Sequence, residues 1–142
     1  MKTLNNLSMI KHQMALKLGL KGVNTNQEHT AIGWKHPNLE NILLILSKGV
    51  EGPEVHFSDV SITEEWKEAC GNQAIGLPLT GTRSVQDILS IFSHLFEVTT
   101  QLGFTSVGTE CRCEKRRRVY LLAAKRLGVQ AQEMGENIFF SL

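Results

Sequence analysis

Between Ser84 and Gly103 the chain writes one amphipathic helix, with Val85, Ile88, Leu89, Phe92, Leu95, Phe96 and Leu102 on a single broad apolar stripe. A stripe this wide and this aromatic has to be buried against another layer, so the chain must also supply a sheet or further helices to cover it. Both ends are marked. Ser84 stands three residues before Asp87 in a capping arrangement, and Gly103 is placed to close the helix with a left-handed residue.

The segments after the stripe supply a sheet. FTSVGTECR (104–112) alternates Phe104, Ser106, Gly108 and Glu110 against Thr105, Val107, Thr109 and Cys111, which predicts a strand. A basic helix follows over 114–127 and stops at Gly128. VQAQEM, a Gly135-Glu136 turn and NIFFSL then read as a terminal hairpin. Before the stripe, AIGLPL (74–79) is a short apolar run read as a strand, and Ser61 with Glu64 marks a short helix around Trp66.

In the first half, Leu7, Ile10, Met14 and Leu18 predict a helix over residues 4–18 that ends at Gly19. Residues 20–35 read as loop or short strand. Pro37 suits a first helical turn, and Leu39, Ile42, Leu43 and Leu46 give that helix an apolar face up to Gly49. Gly52-Pro53 predicts a turn, and Val55–Phe57 a strand. Alternating strands and helices over 142 residues make an α/β (α+β) single layered domain with a central mixed sheet. Its N-terminal helical part spans about 1–50 and its core about 54–142.

Composition narrows the class. The chain is 42% hydrophobic with a net charge of +1, so it has enough apolar material for a core and no global basic excess. The charge is local: six of the fifteen Lys and Arg lie between Lys115 and Arg126. Cys70, Cys111 and Cys113 are too few for a secreted disulfide framework and fit a reducing cytoplasm. No run approaches the roughly 18 apolar residues of a membrane span, and the basic start lacks the apolar centre of a signal peptide. Cys111 and Cys113 on a strand would share a face and pack there, since no second ligand pair completes a metal site. The five histidines are dispersed; His94 reads as a helix-flank residue, and Trp34 as a core or lid residue.

The order AIGLPL, TGTRS, helix 84–102, FTSVGTECR, helix 114–127 and the segment to NIFFSL resembles the GNAT acyltransferase superfamily over roughly residues 74–142. The ending GENIFFSL also looks like small acetyltransferase-like proteins of bacterial viruses. The resemblance implies transfer of an acetyl or other acyl group from acetyl-CoA or another acyl-CoA to an amine. The acceptor would be a small molecule or a protein. It implies a V-shaped opening between the strand at 74–79 and the strand at 104–111. It places the CoA pyrophosphate on the loop and helix start at Gly81, Thr82, Arg83 and Ser84. Arg117 stands near the start of the last helix, where the family usually has an Asn, and would add charge near phosphate. The family's Tyr, four residues before the final Gly, is Ala124 here; Tyr120, one turn earlier on nearly the same face, takes the role of acid to the departing thiolate. Glu110 and His56 are the candidates for general base.

Two other classes stay open on the residues. One is a non-catalytic α/β interaction module, alone or as a homo-oligomer. The other is a regulator that holds nucleic acid on the basic helix, disfavoured because no aromatics are interleaved with the charges.

Overall fold

The computed structural model describes residues 17–25, 31–39, 42–49, 52–58, 84–111 and 113–142. Within them lie β1 (Lys21–Thr25), β2 (Ala31–Lys35), β3 (Leu43–Lys48), β4 (Pro53–Ser58), α1 (Val85–Gln101), β5 (Ser106–Glu110), α2 (Glu114–Arg126), β6 (Gln130–Met134) and β7 (Asn137–Ser141). The strands form one mixed sheet in the order β1-β2-β3-β4-β5-β7-β6, so the fold is α+β with two described helices. The readings of residues 4–16, of the capping box at Ser61, and of 74–79 fall outside the described residues.

The helix expected from Pro37 to Gly49 is a strand instead. Leu43 to Ser47 pair on one side with β2 and on the other with β4, and all five are buried. A strand covered on both faces needs a continuous apolar run, and ILLIL also matches helical spacing at Ile42, Leu43 and Leu46. The pairing on both edges decides for strand. Residues 20–35, read as loop or short strand, supply both β1 and β2.

Alternation then sorts the side chains. Ile32, Trp34, Leu44, Leu46, Val55, Phe57, Val107, Ile138 and Phe140 meet the apolar stripe of α1 and the Tyr120, Ala123 and Ala124 side of α2 in the main core. On the other face Ala31, Leu43 and Ile45 form a smaller buried cluster. The stripe behaves as its spacing predicts: Ile88, Ile91, Phe92, Leu95 and Phe96 are buried, Ser84 caps with its side chain accepting from the Asp87 amide at 3.1 Å, and Gly103 takes φ +92°. The terminal hairpin pairs in unbroken register from Gln130↔Ser141 to Met134↔Asn137.

β5 is bordered by β4 and β7. The parallel neighbour of β5 is therefore 53–58, which corrects the expectation that an opening lies between 74–79 and 104–111. Among the described residues, no helix is long and apolar enough to cross a membrane.

Candidate functional site

β4 and β5 pair in parallel, and α1 lies between them in the chain among the described residues. α1 ends just before β5 begins and the chain turns back between them, so the start of α1 lies toward the C-terminal end of β5. α2 likewise starts where β5 finishes. Two helix N-termini, capped by Ser84 and Cys113, thus stand at the C-terminal ends of the two parallel strands. In open sheets this is where ligands are held, because unpaired amides and the positive ends of helix dipoles converge there.

The two strands are matched at one position, Glu54↔Gly108. Gly108 is required there by its neighbour β7: a Cβ would lie 2.8 Å from Cε1 of Phe139. One residue further on, Thr109 donates its hydroxyl to the Val55 carbonyl at 3.1 Å and ties the strands. That bond keeps the two strands in contact on the C-terminal side of Glu54↔Gly108.

Period-two alternation puts Glu54, His56 and Glu110 on the same face of the sheet, on the adjacent strands β4 and β5. They feel one another. Burial raises the Glu54 carboxyl above its ordinary value, and Glu110 adds to the shift. Burial lowers the His56 imidazole, and Glu110 opposes that. His56 is therefore a neutral imidazole at neutral pH with a carboxylate nearby, the form a proton acceptor needs. The structure thus brings together both candidate bases, Glu110 and His56, and adds Glu54. That third residue was missed by sequence reasoning, although the alternation of PEVHFS would have put it beside His56.

Tyr120 lies across the sheet from this group, on the helix-covered face. It is 3% exposed and packs edge-on against Phe92 and Phe57, at ring-centroid distances of 4.9 and 6.1 Å. Burial holds its hydroxyl well above the usual phenol range, so it stays protonated. Arg117 is engaged in a clamp. Its guanidinium donates to the Cys111 carbonyl at 2.8 Å, to the Gly135 carbonyl at 2.9 Å and to Glu133 at 3.2 Å. It fastens the start of α2 to the end of β5 and to the β6–β7 turn. Gly81, Thr82 and Arg83 fall outside the described residues, and Ser84 sits at the α1 N-cap.

Cys111 and Cys113 do not share a strand face. β5 ends at Glu110, Cys111 is buried, and Cys113 is the half-exposed N-cap of α2. Among the described residues no group of three or more His, Cys, Asp or Glu could hold a metal ion.

The basic helix exposes Lys115, Arg118, Leu122, Lys125 and Arg126 along its outer side. Arg118 meets Glu114 at 3.4 Å, both about four-fifths exposed, which contributes little. Comparison of the chain with protein-family models, curated proteins and solved structures gives no match.

Proposed function

We propose that the chain is a GNAT-like acyltransferase that moves an acetyl or other acyl group from a CoA thioester to an amine of a small molecule or protein. The observation that carries this reading is the single-position match of the parallel strands β4 and β5, with two helix N-termini at their C-terminal ends. Strands paired at a single position leave backbone donors and acceptors with which an extended acyl chain can pair. The strand order supports it too.

In this reading the first amides of α1, with Gly81, Thr82, Arg83 and Ser84, hold the pyrophosphate. His56, kept neutral by burial, takes the proton from the acceptor ammonium. The amine nitrogen then bonds to the acyl carbon, the carbon–sulfur bond breaks, and the thiolate leaves with a proton. Tyr120, held in its protonated form, is the donor this chain offers on the helix side. Glu54 and Glu110 make the acceptor side anionic, which suits a cationic amine.

The test is calorimetric titration with acetyl-CoA and CoA, repeated with Gly81→Pro and Arg83→Ala. Micromolar binding weakened by both substitutions is expected. No binding at millimolar cofactor rejects a standalone CoA enzyme.

One observation favours a second reading. The exposed row Lys115, Arg118, Lys125 and Arg126 suits an anionic partner, nucleic acid included, and binding that collapses with salt would select it.

A further inference from the structure

We propose that Cys111 and Cys113 form a thiol–disulfide pair at the start of α2, with Cys113 as the attacking thiol and Cys111 as the resolving one. The two sulfurs stand in opposite settings. Cys111 is 3% exposed, and its Sγ donates to the Cys113 carbonyl at 3.4 Å, which puts the buried thiol beside the backbone of its partner. Cys113 is half-exposed at the N-cap of a 13-residue helix. Its thiol makes no capping hydrogen bond. The backbone amides of Arg116 and Lys115 nevertheless face it, and with the charges of those two residues they lower its pKa. Burial raises that of Cys111. A half-exposed thiol of lowered pKa beside a buried thiol of raised pKa is the asymmetry that attack and resolution require.

The oxidant is a small disulfide such as oxidised glutathione. The Cys113 thiolate attacks one of its sulfurs, the glutathione S–S bond breaks, and one glutathione leaves as thiolate and picks up a proton. Cys111 gives up its proton and attacks the Cys113 sulfur, and the second glutathione leaves. Two electrons pass from the protein dithiol to glutathione disulfide, yielding one protein disulfide and two glutathione thiols. The ring would hold only three residues, 111–113, with one sulfur half-exposed, so the bond belongs to the labile, reversible kind rather than the structural kind.

The pair is wired to its surroundings. The Cys111 amide donates to the Glu136 carbonyl at 2.8 Å, and its carbonyl accepts from Arg117. The Cys113 carbonyl accepts from the Arg117 amide at 2.9 Å as the first bond of α2. Closing the disulfide pulls on all three bonds. Oxidation is thereby coupled to the first turn of α2 and to the β6–β7 turn, beside the C-terminal end of β5.

The test treats the full chain with oxidised glutathione, digests it after glutamate residues under acid, and reads the peptides by mass. The expected product is the 111–114 peptide short by two hydrogens. With Cys111→Ser the reaction should stop at a glutathione adduct on Cys113, and with Cys113→Ser that region should stay reduced. Because Cys111→Ser changes a buried residue, the wild-type chain carries an independent readout: Cys113 should alkylate with iodoacetamide about tenfold or more faster than Cys111 near neutral pH. Amide exchange at Arg117 should also rise on oxidation and fall back on reduction. A wild-type chain that stays reduced, that keeps the glutathione adduct, or that links either cysteine to Cys70 overturns the proposal.

Discussion

Trp34 donates its indole N–H to Nε2 of His94 across 2.9 Å, and this bond ties the second strand to the middle of α1. It also fixes the histidine's chemistry, because a nitrogen that accepts carries no proton. His36 sits beside it, with ring centroids 5.1 Å apart. The His36 Nδ1 accepts from the amides of Asn38 and Leu39, each at 3.1 Å, so its proton is on Nε2, which faces the Ser90 carbonyl at 3.3 Å. Both imidazoles are neutral in this arrangement.

Acid should therefore loosen the fold. Burial pushes His94 down from 6.5 to about 4, with His36 adding to the shift. Burial lowers His36 also, while the Ser90 carbonyl and Asp87 pull it back up. Between 6.5 and about 4 the unfolded chain binds more protons than the folded one. The contribution is complete above 6.5 and is lost as pH falls through about 4. Urea midpoints on either side of that window should show the drop. His94→Gln keeps an acceptor for Trp34 but cannot charge, so the slope should flatten. An unchanged slope would mean that His94 is not the titrating group.

A second prediction concerns the packing that holds β5 in place. A Cβ at Gly108 would lie 2.8 Å from Cε1 and 2.9 Å from Cδ1 of Phe139. Gly108→Ala should cost about 1–3 kcal/mol by overpacking. Adding Phe139→Leu should return part of that loss, measured as a positive coupling in urea unfolding. Purely additive losses would place the strain elsewhere.

Sequence reading succeeded where one periodicity stood alone. The α1 stripe, its Ser84 cap, the alternation of β5 and the hairpin turn at Gly135 each had one available reading, and each is present. It failed at β3, where an apolar run satisfied both periods and only pairing with β2 and β4 could choose. The candidate site was half legible. Glu110 and His56 could be named from the chain, but their meeting depends on β5 lying beside 53–58 and not beside 74–79. The histidine pair of β2 and α1 was unreadable, because His36 and His94 are joined only by the packing of α1 on the sheet.

Arg117 offers a direct choice between clamp and phosphate ligand. Its guanidinium already serves two carbonyls and Glu133, and its side chain is 20% exposed. Arg117→Ala should lower stability by about 1–3 kcal/mol, mostly through the carbonyl bonds, since Glu133 is half exposed. Arg117→Lys should recover little, because one ammonium cannot reproduce the fork. Unchanged unfolding with lost CoA binding would reverse the assignment and make Arg117 a cofactor residue.

The last prediction separates the two roles in the proposed acyl transfer. A base on β4 and an acid on α2 lie on opposite faces of the sheet, so their loss should appear in different observables. His56 is lowered chiefly by burial. It keeps its base form below the ordinary value of 6.5, so the acid limb of kcat/KM should fall at a pH lower than that. His56→Gln should lower kcat by about 10²-fold or more and remove the limb. Tyr120→Phe preserves the ring that packs on Phe92 and Phe57, so unfolding should move by less than about 1 kcal/mol. If Tyr120 protonates the departing thiolate, kcat should drop while the KM for acyl-CoA holds, and a substrate with a more acidic thiol should be affected less. A kcat that does not change in Tyr120→Phe would make the tyrosine a core residue alone. A limb that survives in His56→Gln would move the base to Glu110, whose replacement by Gln would then remove it.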